Sequence, residues 1–199
     1  MNKKIIILVI IVIFIALGIL LGIKLYRDRK PSDINVTGKK VLVVYYSAQG
    51  HTENIAKLIA SNLNADIFKI EPKEEYTSAD LNYNNSNSRV VKEHDDESLR
   101  NIELKDITPD SWNEYDTIII GYPIWWGIAA WPINNLIKEN DFTNKTIIPF
   151  CTSVSSGLGN SDILLKDISN GGNWIKGTRF SSNASNQTIN EWTKGIKIK

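Results

Sequence analysis

Gly50 is surrounded by four residues whose side chains donate hydrogen bonds: Ser47, Gln49, His51 and Thr52, with Ala48 between them. The run closes the stretch Val41-Leu-Val-Val-Tyr-Tyr-Ser-Ala-Gln-Gly-His-Thr52. Its first part, Val41 to Tyr46, is β-branched and aromatic, as suits a strand covered on both faces. From Glu53 onward Ile55, Leu58, Ile59 and Leu63 recur with helical spacing. A strand, a small polar loop and a helix in immediate succession aim backbone N–H groups and a helix N-terminus at one spot, which is an anion site.

The glycine and lysine pattern narrows the anion. A nucleoside-triphosphate loop needs Lys after its last Gly, and His51 stands there. A dinucleotide fingerprint needs three glycines, and this loop has Gly50 alone. A phosphate monoester held by many hydrogen bonds fits what remains. The competing reading is a tight turn with Thr52 as a cap and no ligand. Two further stretches bear on the choice. Trp125 and Trp126 follow an apolar run, where an indole stacks on a flat conjugated ligand or else covers the sheet end. Adjacent side chains diverge, so at least one of the pair packs inward. Thr152, Ser153 and Ser155, with Gly157 and Gly159, form a small-residue loop that lets backbone approach a ligand closely. Together the three stretches specify a planar, phosphorylated ligand.

These stretches need a frame. Buried strands are expected at 41–46, 117–121 and 146–150, with edge strands at 66–70 and 174–180. Pro149 cannot donate to a ladder, which puts it near the end of its strand. Helices are expected from Glu53, within 78–100 on weak periodicity, from Pro132 through Ile137, over 161–168 and over 188–198. Alternating strands and helices imply an α/β three-layer sandwich around a five-stranded parallel sheet of order 2-1-3-4-5. In such a sheet ligands bind beyond the carboxyl ends of the strands, beside strand 1. The loops leaving the central strands there are 47–52, 122–127 and 151–160.

Composition removes several other classes. The chain carries 23 basic and 22 acidic residues for a net charge of +1, which gives nucleic acid no basic surface. Its one cysteine, Cys151, excludes disulfides and thiolate metal clusters within the chain and reads as a core thiol. The run Glu93-His-Asp-Asp-Glu97 reads as a solvated face, because consecutive acids on a helix diverge. Ile5 to Ile23 is uncharged and aliphatic, the length of a membrane span, and no small-x-small cleavage site follows it. Residues 1–25 therefore read as an uncleaved transmembrane helix, 26–39 as a linker, and 40–199 as the folded domain. Lys24, Arg27, Arg29 and Lys30 follow the span and outnumber Lys3 and Lys4 before it, so the domain is expected to face the cytoplasm.

Three motifs in order, Val43-Val-Tyr-Tyr-Ser-Ala-Gln-Gly-His-Thr52, Ile119-Ile-Gly-Tyr-Pro-Ile-Trp-Trp-Gly127 and Ile147-Ile-Pro-Phe-Cys-Thr152 with Ser156-Gly-Leu-Gly159, resemble the flavin-contacting loops of the flavodoxin-like family. The likeness is closest to a bacterial branch with a Pro-Ile-Trp-Trp-Gly loop. The resemblance implies FMN as cofactor, its phosphate held by Ser47, Ala48, Gln49, Gly50, His51 and Thr52. It implies Pro123 and Ile124 near the ribityl chain, Trp125 on the isoalloxazine with Trp126 and Gly127 beside it, and Thr152, Ser153 and Gly157 at the pyrimidine end. Gln49 and His51 stand where typical family members have Thr or Ser and Asn. The third loop also lacks their acidic residue and stacking Tyr, which implies a less strongly reducing flavin or a more open ring face. The function implied is a membrane-held electron carrier serving a redox partner protein or small electron acceptor. The alternatives are an NAD(P)H-dependent quinone or small-acceptor reductase, and a binding protein that has lost FMN.

Overall fold

The computed structural model of the chain describes residues 34–36 and 40–198. The expected membrane anchor, 1–25, lies outside the described residues, as does the linker 26–39 apart from the short strand Ile34–Val36 (β1). Among the described residues no helix is long and apolar enough to cross a membrane.

From Val41 the order is β2 (Val41–Tyr45), α1 (His51–Leu63), β3 (Asp66–Lys69), α2 (Arg89–Asp95), β4 (Thr117–Trp125), β5 (Ile128–Ala129), α3 (Asn134–Glu139), β6 (Thr146–Ser153), α4 (Ser161–Ile168), β7 (Asn173–Trp174), β8 (Thr178–Ser181), α5 (Asn186–Lys194) and β9 (Ile196–Ile198). The main sheet runs β3-β2-β4-β6-β7, with β5 on β4 and β8 on β6. All its pairs are parallel except β4–β5. The expected order 2-1-3-4-5 is therefore present, but in a sheet of seven strands rather than five. One extra strand comes from a hairpin after β4. The other arises because the expected strand 174–180 is two strands, each pairing with β6.

Pro149 accounts for that break. It lies inside β6, opposite Ile120, not at the strand end. Lys145 O and Ile147 O accept from Asn173 N and Ile175 N (both 2.8 Å), so alternate residues of β6 face the outer edge, and Pro149 falls on that side. Its missing N–H sits where β7 has ended and β8 has not begun, so no ladder bond is lost.

Alternation splits the sheet's side chains between two faces. Leu42, Val44, Ile118, Ile120 and Ile147 pack with Ile133, Leu136 and Ile137 of the α3 region and with Leu165 of α4. Phe150 points the other way, edge-on to Phe180 and to Trp192 of α5. Two helices differ from expectation. The first opens at His51, not Glu53. The last ends at Lys194, and Ile196–Ile198 is a strand.

Candidate functional site

The turn out of β2 ends at Gly50, whose φ of 83° places it in the left-handed region that glycine occupies without strain. α1 begins on the next residue. Its first ladder bond is Asn54 N to Gly50 O (3.0 Å), which leaves the N–H groups of His51, Thr52 and Glu53 ahead of any intrahelical acceptor. No side chain caps them. Thr52, a candidate cap, is buried and its hydroxyl meets that of Thr152 at 2.8 Å. One proton serves that contact, so the pair keeps a second proton for another acceptor.

β4 and β6 run four and three residues further than expected, so Tyr122–Trp125 and Cys151–Ser153 are strand rather than loop. Pro123 is registered against Thr152. Beyond Trp125 the chain reverses through Trp126 (φ 46°) and Gly127 (φ 83°) into β5. Two left-handed residues at a two-residue hairpin match the twist of the paired strands, and a tryptophan in that conformation is uncommon. A Cβ on Gly159 would lie 3.0 Å from Gly127 O, so the small-residue loop packs against this turn through a glycine. On the third strand, Arg179 of β8 donates to Ser153 Oγ (3.0 Å), Ser153 O (2.8 Å) and Val154 O (3.0 Å). The Ser153 hydroxyl in turn donates to Ser156 O, so protein partners engage it.

The three segments close around one cleft of about 250 Å³ at the carboxyl ends of β2, β4 and β6. Ser47, Ala48, Gln49, His51, Thr52, Pro123, Ile124, Trp125, Trp126, Thr152 and Ser153 line it. Gly50 and Gly127 shape its turns without lining it, and Gly157 is exposed and not among its walls. Five lining residues are not among the candidates named from the sequence: Leu81, Tyr83, Val90, Val154 and Ser182. The first three belong to the polar, Asn-rich stretch 73–111, where weak periodicity hid how the chain folds back. A larger open cleft of about 690 Å³ lies along 73–103, where two ion pairs, Lys73 with Glu103 and Arg89 with Glu93, cross its lining. The smaller cleft has uncommitted donors and is the better candidate.

The two tryptophans have different surroundings. Trp125 packs edge-on against Trp131 (4.8 Å between centroids), Tyr76 (5.4 Å) and Tyr46 (5.8 Å). Trp126 is 43% exposed and stacks on His94 at 4.5 Å and Trp131 at 6.0 Å. Glu93, expected on a solvated face, is instead 4% exposed. It accepts from Arg89 Nε (2.7 Å), Tyr76 Oη (2.6 Å) and Trp131 Nε1 (2.7 Å). Burial, reinforced by the Glu93 carboxylate, raises the Tyr76 phenol well above its ordinary value, and burial does the same for Tyr46. Burial also pushes the Cys151 thiol up to about 12, in keeping with a core thiol. Among the described residues no group of three or more His, Cys, Asp or Glu side chains could hold a metal ion.

Comparison with known proteins bears on this geometry. No curated protein matches the chain. Candidate flavoproteins from Bacteroides eggerthii and Bacteroides uniformis have similar crystal structures, at 36% and 40% identity and a TM-score of 0.71 for each. The matches cover 80% and 79% of this chain and 99% of each of those chains. A flavoprotein from Lactobacillus acidophilus, crystallised with FMN, shares the fold at 24% identity and a TM-score of 0.57, over 78% of this chain and 99% of its own. The profile of the flavodoxin family matches residues 40–196, the span that holds the sheet, its helices and the cleft, and the chain belongs to that family.

Proposed function

We propose that the cleft holds FMN and that the chain transfers electrons through it, from a membrane-anchored position. The observation that carries this reading is the convergence of free N–H groups, an aromatic wall and a backbone-lined strand end on one cleft. When bound, FMN supplies one- and two-electron chemistry. The fit lies in the donor set. The N–H groups opening α1, with Ser47, Gln49, His51 and the Thr52–Thr152 hydroxyl pair, offer a phosphate neutral donors and a helix N-terminus. Pro123 and Ile124 present an apolar strand end, and Trp125 with Trp126 an indole wall, to a flat ring.

One observation favours a second reading, a reductase for a quinone or other small acceptor. Tyr83 and Val154 line the cleft yet are 72% and 83% exposed, so its mouth is open to a small molecule. The aliphatic span Ile5–Ile23 supports the anchor, and the basic residues after it support a cytoplasmic domain.

One preparation tests these points. The full chain should stay with membranes through an alkaline wash and, once extracted in mild detergent, show a flavin spectrum or take up FMN. Reduction through a redox protein, with slow direct bleaching by NAD(P)H, selects the carrier, whereas rapid NAD(P)H oxidation with a quinone selects the reductase. A colourless protein that takes up no FMN overturns the cofactor, and recovery in the soluble fraction overturns the anchor.

A further inference from the structure

α2 contributes no residue with an obvious role in holding a phosphate, yet it places two side chains against the aromatic wall of the cleft. His94 stacks on Trp126. Glu93, one position earlier, is enclosed beneath the wall. Its Oε2 accepts from two aromatic donors at once, Tyr76 Oη at 2.6 Å and Trp131 Nε1 at 2.7 Å. Its Oε1 takes Arg89 Nε at 2.7 Å, and the Arg89 guanidinium lies 4.0 Å over the Tyr76 ring. Arg100 closes the cage, donating to Glu93 O at 2.7 Å while its guanidinium sits 5.1 Å from the Trp131 ring.

Enclosing a carboxylate costs free energy unless its oxygens are well paired, and both oxygens here are paired with charged or aromatic donors. Salt bridging alone would be met by Arg89 at the surface. What the burial adds is a fixed orientation for two rings. Trp131 and Tyr76 are the rings against which Trp125 packs edge-on, and Trp131 also stacks on Trp126. Trp126 needs such support, since its backbone is held in the left-handed region.

We propose that Glu93 is the positioning residue of the aromatic wall: through Trp131 and Tyr76 it sets the orientation of Trp125 and Trp126, and thereby the affinity of the cleft for a flat conjugated ring. This rests on reading the cleft as a flavin site. Glu93 acts on the ring end of the ligand and leaves the phosphate cradle at 47–52 untouched. Riboflavin, which has the ring and lacks the phosphate, therefore separates its effect from that of the cradle.

The test compares wild-type full chain with Glu93→Ala, Glu93→Gln and Trp131→Phe. Near-ultraviolet circular dichroism of the FMN-free protein reads the packing of the indoles, and fluorescence titration reads affinity for FMN and for riboflavin. Glu93→Ala strands the Trp131 N–H and the Tyr76 O–H and should weaken both ligands about tenfold, while collapsing the indole signal. Glu93→Gln keeps one oxygen for the two aromatic donors but meets Arg89 with an amide N–H. It should cost both ligands about threefold. Trp131→Phe keeps a ring without the N–H and should fall between the two. If Glu93→Ala fails to fold, judged by far-ultraviolet dichroism, the other two variants decide. Affinities within twofold of wild type, or a loss confined to FMN with riboflavin unaffected, overturn the proposal. Wild-type protein that takes up neither ligand overturns the flavin reading instead, and the indole signal then still judges whether Glu93 positions the wall.

Discussion

Trp125 and Trp126 are neighbours in sequence with opposite tasks in the structure. Trp125 is one ring of a packed cluster with Tyr46, Tyr76 and Trp131, while Trp126 sits in a left-handed hairpin turn and stays 43% exposed. Alternation made the divergence of the pair legible from the sequence. Which indole turned outward was not, because that depends on the hairpin. Cys151 shows the same logic applied to reactivity. It lies in β6 against Tyr122 of β4, fully buried, and burial holds its thiol at about 12. Only thiolate attacks a disulfide reagent, so the native protein should stay unlabelled near neutral pH over hours. Denaturant should release one equivalent per chain, since the chain has one cysteine. Rapid labelling of native protein would show that β6 opens far more readily than its packing implies. Glu93 is the opposite case. Nothing in Glu93-His-Asp-Asp-Glu97 distinguishes the one carboxylate that is enclosed, because its donors are 17 and 38 positions away, at Tyr76 and Trp131.

At the scale of elements, β4 and β6 form the centre of the sheet, and their register puts Gly121 opposite Phe150. A Cβ on Gly121 would lie 2.2 Å from Phe150 Cζ, within a ring that is fully buried. Gly121→Ala should therefore destabilise the domain by about 2–3 kcal/mol through overpacking, read as a lower denaturant midpoint. Adding Phe150→Leu, which removes the atoms in the way, should give back part of that loss; strictly additive losses would assign the cost elsewhere. The same register explains what the sequence disclosed and what it withheld. The apolar runs at 41, 117 and 146 announced the central strands and their order, because strands buried on both faces are continuous. Their far ends were hidden. Tyr122-Pro-Ile-Trp125 and Cys151–Ser153 look like loop by composition, yet the ladder continues through them into the cleft. Pro149 looked like a strand terminator, and only the gap between β7 and β8 makes it admissible in the interior.

Across the whole molecule, the ionisable groups divide by depth. The carboxylates held below their usual range are superficial: Glu53 by Lys57, Glu75 by Lys105, and Asp80, Asp96 and Asp141 by the hydroxyl and N–H of Thr77, Ser98 and Thr143. Such groups stabilise the fold above their unfolded values, and that contribution is lost as pH falls through the lower folded values. Solvent screening keeps the loss small. The groups held above their usual range include interior ones. Burial is the first cause for Tyr45 and Tyr115, each raised to about 12, for Cys151 at about 12, and for Tyr46, Tyr76 and Tyr122 beyond that. The unfolded chain loses these protons from about pH 9 to 10, while the folded chain retains them. In that window the unfolded state binds fewer protons, so stability falls as pH rises and goes on falling through the folded values. Lys40, Lys69 and Lys105, raised by carboxylate partners, act in the same sense, and Lys145, lowered by burial, opposes them. The denaturant midpoint should thus drop gently from pH 5 to 3 and steeply between about pH 9 and 12. On the alkaline limb the phenolate ultraviolet band of the buried tyrosines should appear together with loss of far-ultraviolet dichroism. Phenolate formation by the wall tyrosines Tyr46 and Tyr76 well before unfolding would mean that they meet water in the native state, and that the aromatic wall is looser than its packing distances indicate.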